Sequence, residues 1–260
     1  MFLGVDIGSS SSKAALIDKN GGLIGSQVIN QGTGTDAARD IAAILLAAAG
    51  VKRQEILYSV VTGYGRMIYR DADAQVTEIS CHGLGVARTL PAVRTIIDIG
   101  GQDAKVIRLD GEGRVVNFGM NEKCAAGTGR FLEVMARVLG REITALSALA
   151  AQSTRPVQIS SVCTVFAESE VISQLAAGAA PADVARGAHL SVAARVAGMC
   201  GRTGVAPQVA MTGGVALNRD LVDAMAIELG VGIQVPPAPQ IMGALGAAYY
   251  AQAKYARRPA

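Results

Sequence analysis

Two glycine-containing segments of this chain carry residues whose types and spacing suit the binding of phosphate. Gly4–Lys13 contains an aspartate, two glycines, four serines and a lysine, and Asp98–Asp103 contains a Gly-Gly pair between two aspartates. Small residues allow backbone N–H groups to approach a phosphate, while hydroxyls and a lysine add donors and charge. A carboxylate at a strand end suits Mg2+, which retains part of its water shell. A serine-rich hairpin would explain the first segment alone, but the two segments together predict a nucleotide site.

The predicted contacts to nucleotide lie mostly in these two segments. For the phosphates and Mg2+ of ATP or ADP we predict contacts from Asp6, Gly8, Ser9, Ser10, Ser11, Ser12, Lys13, Gly100, Gly101 and Gln102. A third segment, Met211–Val215, places Thr-Gly-Gly after a strand, where a nucleoside can lie against bare backbone. The remaining predicted cofactor-binding residues are Gly127, Thr128, Gly213, Gly214, Asn218 and Gln240, with Gln240 near the adenine.

Three side chains are candidates for positioning the water that attacks the terminal phosphate. Gln102 offers an amide, and Asp103 and Glu168 offer carboxylates. An amide or a carboxylate beside the phosphates is a recurring means of orienting such a water. For Glu168, a carboxylate that stabilises the start of a helix is an equally good explanation.

Two cysteines stand directly ahead of predicted helices. Cys124 precedes Ala125–Gly129, and Cys163 lies within Ser160–Glu170. A thiolate at a helix N-terminus is stabilised by backbone N–H groups and the helix dipole. One chain with two such ligands cannot complete a four-cysteine site, whereas a two-fold dimer could hold one 4Fe-4S cluster on its axis. Burial as structural cysteines is the commoner alternative.

The other cysteines and both histidines have simpler interpretations. Cys81 and Cys200 are expected in the core, because nothing near them in the sequence completes a metal site. His82 and His189 also have no evident partner in the sequence, and we expect structural roles for them.

The elements that must position these residues form two similar sets. Each set begins with three strands joined by short turns, and a largely helical region follows the second set. The predicted strands are Phe2–Ile7, Lys13–Asp18, Leu23–Asn30, Leu57–Thr62, Thr95–Ile99, Ala104–Leu109, Val115–Phe118, Gln208–Thr212 and Gly232–Val235. The predicted helices are Asp36–Ala49, Arg66–Ala72, Gly127–Leu139, Ile143–Gln152, Thr164–Ala177, Pro181–Arg202, Leu217–Leu229 and Gly243–Tyr255.

This element order predicts an α/β protein of two lobes that face each other across a cleft. The first lobe is predicted to contain residues 1–94 and 240–260, and the second residues 95–239 with a helical insertion. The stiff proline-rich segment Pro236–Pro239 allows the closing helix to cover the first lobe.

Composition excludes several classes of function. The chain has 260 residues, 50% of them hydrophobic, no tryptophan and a formal net charge of +3 without a basic stripe, so we expect no nucleic-acid partner. The N-terminus lacks the features of a signal peptide. The longest strongly apolar stretch, Ile41–Val51, is shorter than the roughly 18 to 20 residues that a membrane span requires. We therefore expect a cytoplasmic protein without a membrane partner, in which four cysteines do not form a disulfide framework.

The phosphate-type segments resemble those of a large superfamily. Walker A and dinucleotide-binding patterns are absent from the sequence. The two Asp-Gly turns and the late Thr-Gly-Gly resemble the phosphate-1, phosphate-2 and adenosine motifs of the acetate kinase, sugar kinase, heat-shock 70 and actin superfamily. This resemblance implies a duplicated ribonuclease-H-like (actin-like ATPase) fold that binds ATP between its lobes.

The cysteine-bearing segments resemble a narrower family. Asn121–Phe131, Cys163–Glu170 and Thr62–Arg66 resemble signature stretches of the activators of 2-hydroxyacyl-CoA dehydratases, which are related to the ATP-binding subunits of benzoyl-CoA reductase. The resemblance continues through Glu78–His82 and Gly243–Ala248.

This second resemblance implies a function. It implies a homodimer with one 4Fe-4S cluster held by Cys124 and Cys163 of each subunit, and ATP-driven transfer of one electron at low potential to a partner iron-sulfur protein. The partner would be a 2-hydroxyacyl-CoA dehydratase, and the electron donor a ferredoxin or flavodoxin. Alternatives are a different acceptor, such as a double-cubane-cluster reductase or a benzoyl-CoA-reductase-like enzyme, a small-molecule kinase, or a nucleotide-sensing module.

Overall fold

The computed structural model describes residues 1–160 and 163–257. Ser161 and Val162 of the second cysteine segment, and residues 258–260 of the predicted first lobe, lie outside the described residues. The chain divides into two compact units. Unit 1 contains Met1–Val93, Leu109–Val116 and Pro236–Ala260, and unit 2 contains Arg94–Arg108 and Asn117–Val235.

Unit 1 is built on a five-stranded mixed sheet of order β3-β2-β1-β4-β5. Its strands are β1 (Phe2–Ile7), β2 (Ser12–Ile17), β3 (Leu23–Ile29), β4 (Tyr58–Thr62) and β5 (Ala74–Gln75). The first three strands are antiparallel, and β4 and β5 run parallel to β1. Its helices are α1 (Asp36–Ala48), α2 (Glu78–Thr89) and α8 (Met242–Ala256), with 3-10 turns at Arg53–Glu55, Tyr64–Met67 and Pro239–Ile241.

The sheet of unit 2 has the same topology, with the order β8-β7-β6-β9-β10 when it is followed from the corresponding edge. Its strands are β6 (Thr95–Ile99), β7 (Ala104–Leu109), β8 (Val115–Asn121), β9 (Val209–Thr212) and β10 (Ile233–Gln234). As in unit 1, the central strand β6 is antiparallel to β7 and parallel to β9. The predicted duplicated α/β fold is therefore confirmed.

Most helices of unit 2 come after β8 and before β9 in the sequence. They are α3 (Gly129–Val138), α4 (Leu146–Ala150), α5 (Thr164–Ala176) and α6 (Pro181–Thr203), followed after β9 by α7 (Arg219–Leu229), with 3-10 turns at Ile143–Ala145 and Gly214–Leu217. The predicted helical insertion is confirmed by the first four helices. Their apolar faces, together with β6, β7 and β9, form one continuous core.

Helix α2 was not predicted from the sequence. It contains Gly83 and Gly85, which are poor helix formers, so its local propensity is low. The helix forms because it packs against α8 at unusually close range. A Cβ atom on Gly85 or Gly246 would overlap a backbone carbonyl of the facing helix, that of Met242 or Cys81. Packing in unit 1 thus overrides propensity, and α8 covers β1 and β4 as predicted.

The predicted helix at Arg66–Ala72 is wrong. The chain forms only a 3-10 turn at Tyr64–Met67 and then the short strand β5. Gly63, with φ of 87°, begins the turn, and Arg66 donates from Nη1 to the Gly63 carbonyl at 3.0 Å. This local bond tightens the turn where the sequence pattern indicated a continuing helix.

Among the helices of residues 1–160 and 163–257, none has both the length and the apolar character that a membrane span needs.

Candidate functional site

The first phosphate-type turn connects β1 to β2 in unit 1. The Gly8 N–H donates to the Ser11 carbonyl at 3.0 Å, and the Thr33 N–H and hydroxyl both donate to the Gly8 carbonyl. Asp6 and Lys13 lie opposite each other in the strand register, with 3.6 Å between Asp6 Oδ2 and Lys13 Nζ. The structure thus places a carboxylate and an ammonium at the base of a tight serine-rich turn.

The second turn, between β6 and β7 in unit 2, repeats this arrangement. The Gly100 N–H donates to the Asp103 carbonyl at 2.9 Å. Asp98 and Lys105 are opposite each other in the register, as Asp6 and Lys13 are in the first turn. Lys105 Nζ lies 3.4 Å from Asp98 Oδ2 and 2.7 Å from Asp103 Oδ2.

The neighbouring parallel strand ends in the same Thr-Gly step in both units. Thr62 is paired with Asp6 and Thr212 with Asp98 in the register. Gly63 has φ of 87° and Gly213 has φ of 86°, a conformation that favours glycine. A Cβ at Gly213 would overlap the Ile99 carbonyl, so the absence of a side chain lets the turn approach the central strand. The predicted nucleoside contact at Gly213 and Gly214 lies on this turn.

Asp6 has the features of a cation ligand. Its side chain is almost completely buried, and Oδ1 has no hydrogen-bond partner among the described residues. Gly63 and Gly243 enclose it without side chains, since a Cβ on Gly63 would overlap Oδ1 and one on Gly243 would lie 2.9 Å from Oδ2. A buried carboxylate oxygen without a partner is costly unless it binds a donor, a water or a cation. The residues present therefore fit Mg2+, directly or through its water.

The predicted hydroxyl contacts divide into two groups. The buried Ser12 hydroxyl donates to the Gln31 carbonyl at 2.9 Å, and the buried Thr128 hydroxyl donates to the Ala125 carbonyl at 2.6 Å. Both hydroxyls are thus engaged within their own units. The buried Ser10 hydroxyl, in contrast, has no hydrogen-bond partner among the described residues. Ser10 is therefore better placed than Ser12 to donate to a ligand.

Asn218 belongs to a buried polar network in unit 2. Its amide oxygen accepts from the Leu221 N–H at 3.1 Å and begins α7, and its Nδ2 lies 2.9 Å from His189 Nε2. His189 Nδ1 contacts Asp220 Oδ2, which also pairs with Arg186 at 2.9 Å. The expectation that His189 lacks a partner is therefore wrong. The predicted nucleoside contact would use the second N–H of the Asn218 amide.

The charge of Asp220 is stabilised by the same contacts. Burial alone would raise its pKa, but the hydrogen bonds from His189 and Arg186 outweigh burial, so the pKa is lowered. Because the Asn218 amide must donate to His189 Nε2, the imidazole proton is assigned to Nδ1 and donated to Asp220. His82 has an acidic neighbour too, since its Nε2 lies 3.9 Å from Glu78 Oε1.

Cys124 is exposed in a turn that follows β8. The Asn121 side chain accepts from the Cys124 N–H at 3.2 Å and donates to the Cys124 carbonyl at 2.8 Å. One amide thereby closes the turn from both sides and fixes the backbone that presents the thiol.

Cys163 is also exposed, at the N-cap of α5, where its carbonyl accepts from the Ala167 N–H at 2.9 Å. Val165 and Phe166 beside it are exposed apolar residues. Two accessible thiols per chain fit a four-thiolate cluster if two copies contribute.

Cys81 and Cys200 are buried, as expected of core residues. Burial raises the pKa of the Cys81 thiol to about 12 and that of the Cys200 thiol to about 11. A thiol that remains protonated is a poor metal ligand. Cys124 and Cys163 are thus the two thiols of the chain that are available for a cluster.

The second turn and the Cys124 turn are directly bonded. The first two N–H groups of α3 donate to the second turn, Gly129 to the Gly100 carbonyl at 2.9 Å and Arg130 to the Gly101 carbonyl at 2.7 Å. Thr128, the N-cap of α3, bonds back to Ala125 beside Cys124. Hydrogen bonds thus connect the second turn to the start of α3 and to the segment that presents Cys124.

The three predicted water-positioning residues have different surroundings. Gln102 is exposed on the second turn, whereas Asp103 is bonded to Lys105. Glu168 is partly buried on α5, five residues after Cys163, and Gln240 is partly buried in the 3-10 turn before α8.

Sequence reasoning missed Lys105 and the equivalence of Thr62–Gly63 with Thr212–Gly213. The sequence did contain a sign of Lys105. The interval from Asp6 to Lys13 equals that from Asp98 to Lys105, and both segments begin with Asp-Ile-Gly.

The chain is similar to known proteins over almost its whole length. The chain matches the BadF/BadG/BcrA/BcrD ATPase family over residues 3–251. It is 51% identical to the 2-hydroxyisocaproyl-CoA dehydratase activator of Clostridioides difficile, with 96% of this chain and 94% of the relative covered. It is 47% identical to the (R)-2-hydroxyglutaryl-CoA dehydratase activating ATPase of Acidaminococcus fermentans, with 98% of each chain covered.

Solved structures are also similar to this chain. The activator of the 2-hydroxyisocaproyl-CoA dehydratase from Clostridium difficile, solved with bound ADPNP, superposes with a TM-score of 0.95 at 49% identity, over 98% of this chain and 96% of that chain. A Streptomyces griseus glucokinase, 14% identical with a TM-score of 0.58 over 97% and 99% of the two chains, shares the fold alone. The repeated sheets, the paired Asp-Gly turns and these similarities show that the chain belongs to the BadF/BadG/BcrA/BcrD ATPase family.

Proposed function

We propose that this protein uses ATP to drive electron transfer that activates a 2-hydroxyacyl-CoA dehydratase. Two relatives that match nearly the whole chain are named for activation of two such dehydratases. The acyl groups of their substrates differ, so the proposal names the class of dehydratase rather than one substrate.

In this proposal the two units are the two lobes predicted from the sequence, and the phosphate-type turns supply the contacts to ATP. The first turn contributes Asp6, Ser10 and Lys13, and the second contributes Gln102 and backbone N–H groups. Gln102, exposed on its turn, is proposed to orient the attacking water. Mg2+ is proposed to bind at the partner-free oxygen of Asp6.

The redox site is proposed to require two copies of the chain. Cys124 and Cys163 of each copy would hold one 4Fe-4S cluster, which when bound supplies a store for one electron at low potential. The protein's own contribution is to present two exposed thiols from hydrogen-bonded backbone, at the turn that Asn121 closes and at the start of α5. A ferredoxin or flavodoxin is proposed to supply the electron.

The observation that carries the proposal is the bonding between the second turn and α3. A nucleotide that draws the Gly100–Gly101 turn toward its phosphates also pulls the Gly129 and Arg130 N–H groups, because both donate to that turn. The Cys124 turn is attached to the same helix start through Thr128. Nucleotide binding can thereby change the surroundings of Cys124, which is what coupling of ATP to electron transfer requires.

Iron and sulfide analysis tests the redox part of this proposal. The protein, purified and reconstituted without oxygen, is expected to contain about four irons per two chains. Cys124→Ser and Cys163→Ser are expected to lose most of this iron, because each removes two thiolates from one shared cluster. Cys200→Ala, which changes a buried thiol, is the matched control and should retain it.

Two outcomes would contradict the redox proposal. One is wild-type protein that hydrolyses ATP but binds no iron after anaerobic reconstitution. The other is full iron content in both serine variants.

A further inference from the structure

The backbone of Asn218 is hydrogen-bonded on both sides, directly after the Thr-Gly-Gly turn of unit 2. Its N–H donates to the Val215 carbonyl at 3.0 Å, and its carbonyl accepts from the Val222 N–H at 3.1 Å. Asn218 thereby ends the 3-10 turn Gly214–Leu217 and is the N-cap of α7. These bonds hold its side chain next in sequence to the turn that is predicted to contact the nucleoside.

The side-chain amide of Asn218 has a fixed orientation. Its oxygen accepts from the Leu221 N–H at 3.1 Å, and its Nδ2 lies 2.9 Å from His189 Nε2. Exchange of the oxygen and the nitrogen would place a donor against the Leu221 N–H, so these contacts assign the two amide atoms. The second N–H of Nδ2 has no hydrogen-bond partner among the described residues, and Asn218 is partly exposed.

His189 is held from its other side by a polar network. The imidazole is completely buried, and its Nδ1 contacts Asp220 Oδ2. Asp220 also pairs with Arg186 Nη1 at 2.9 Å, and its N–H donates to the Ser147 hydroxyl at 3.1 Å. With its proton on Nδ1, the imidazole presents Nε2 as an acceptor for the Asn218 amide.

Helix capping alone does not explain this network. Serine, threonine or aspartate would also supply a capping oxygen, but of the common N-cap residues only asparagine adds an amide donor. A buried ion pair contributes little stability by itself. Capping therefore accounts for the oxygen of Asn218 and leaves the groups behind its nitrogen without an explanation.

The equivalent position in unit 1 has an apolar residue. The 3-10 turn Tyr64–Met67 is followed by Ile68, as Gly214–Leu217 is followed by Asn218. Ile68 is 60% exposed. Because the duplicated turn forms without an amide at this position, the amide in unit 2 is not required by the turn itself, and a role toward a ligand is favoured.

We propose that His189 is a positioning residue for the nucleotide. By accepting one N–H of the Asn218 amide, it directs the other N–H to an acceptor atom of the nucleoside. Asp220 and Arg186 hold the imidazole in the orientation that this requires. The inference rests on the nucleotide site of the proposed function and adds to it a residue that acts through Asn218 rather than by touching the ligand.

Two substitutions of His189 separate positioning from packing. His189→Gln can place an amide oxygen near the position of Nε2 and accept from Asn218, whereas the shorter side chain of His189→Asn reaches only toward Asp220. Both remove the imidazole, so both are expected to melt at lower temperature. His189→Asn is expected to bind the ATP analogue ADPNP about 5-fold or more weakly than His189→Gln, the effect of one misplaced hydrogen bond. Equal ADPNP affinities of the two would overturn the proposal.

A double-mutant cycle tests whether His189 acts through Asn218. Asn218→Ser keeps a capping oxygen and removes the amide. His189→Asn is expected to weaken ADPNP binding about 5-fold in the otherwise unchanged chain and to have no further effect together with Asn218→Ser. Equal weakening in both backgrounds would mean that His189 affects binding by packing alone, and the proposal would be wrong.

Nitrogen-15 NMR of the unaltered protein gives a test that does not depend on the folding of a variant. The chain has two histidines, His82 and His189, so few imidazole signals need assignment. His189 Nε2 is expected to show the shift of an unprotonated nitrogen. That shift should change when ADPNP binds, because the amide that donates to Nε2 gains a second acceptor. A proton on Nε2 would overturn the proposal, since this nitrogen could not then accept from Asn218.

Binding of ADPNP to the unaltered protein distinguishes the two levels of the account. Its absence would contradict the nucleotide site of the proposed function, and this inference with it. Normal binding, combined with equal affinities of His189→Gln and His189→Asn, would contradict the role of His189 alone.

Discussion

At the scale of single residues, burial separates four chemically identical thiols into two classes. Cys124 and Cys163 are exposed at turns, whereas burial raises the pKa of Cys81 to about 12 and that of Cys200 to about 11. The sequence suggested this division from neighbouring motifs. The structure provides the physical reason, because a desolvated thiolate is unfavourable and the buried thiols stay protonated.

Thiol labelling is expected to reflect these two classes. In cluster-free native protein at pH 8, two thiols should react rapidly with a disulfide reagent and two only after denaturation. Cys124→Ser and Cys163→Ser should each remove one rapid thiol, and Cys200→Ala should remove none. Rapid labelling of all four thiols in the native state would contradict the burial of Cys81 and Cys200.

The same pKa shifts have a consequence for stability. The folded protein holds its buried thiols protonated, while the unfolded chain ionises them near their ordinary pKa of 9. Their contribution to the free energy of unfolding is therefore complete below pH 9 and is lost as the pH rises toward 11 or 12.

At the scale of elements, the contact of α2 with α8 shows where sequence reasoning failed. Helices α1, α3 and α5 were predicted because their patterns are locally consistent. Helix α2 depends on glycines that bring two backbones together, a tertiary effect that weakens the local helix signal. Thr77, whose hydroxyl accepts from the Ser80 N–H, and Glu78 in the first turn were the available signs of a helix start.

Alanine substitutions test this contact. Gly246→Ala is expected to destabilise the protein by about 1–3 kcal/mol, because the new methyl group overlaps the Cys81 carbonyl and must separate the helices. Gly198→Ala is the matched control at an exposed position of helix α6, where a Cβ meets only Arg202 Nη1 at 4.0 Å. The control should stabilise by up to about 1 kcal/mol through helix propensity. Chemical denaturation measures both, and similar effects of the two substitutions would contradict the close packing of α2 and α8.

At the scale of the whole molecule, the duplicated fold was predictable from the sequence because both halves repeat strand, Asp-Gly turn and strand. The different side-chain partners of the two turns were not predictable from those motifs. It depends on whether each side chain is satisfied by its neighbours, as Lys105 is by Asp103 and the Thr128 hydroxyl is by Ala125. Motifs locate a candidate site, but hydrogen-bond partners and burial decide which of its residues remain available to a ligand.

One of the two duplicated turns belongs to the same unit as the exposed cysteines. Unit 2 contains both a phosphate-type turn and the two exposed cysteines, and α3 bonds directly to that turn through Gly129 and Arg130. The central claim is that nucleotide bound at the turn alters the surroundings of the cluster.

The most direct test of this claim is the electron paramagnetic resonance spectrum of the reduced, anaerobically prepared protein, recorded with and without MgATP. The account predicts an iron-sulfur signal whose shape or position changes when MgATP is added and returns after the nucleotide is removed. An iron-sulfur signal that MgATP leaves unchanged, in protein that binds and hydrolyses ATP, would contradict the coupling.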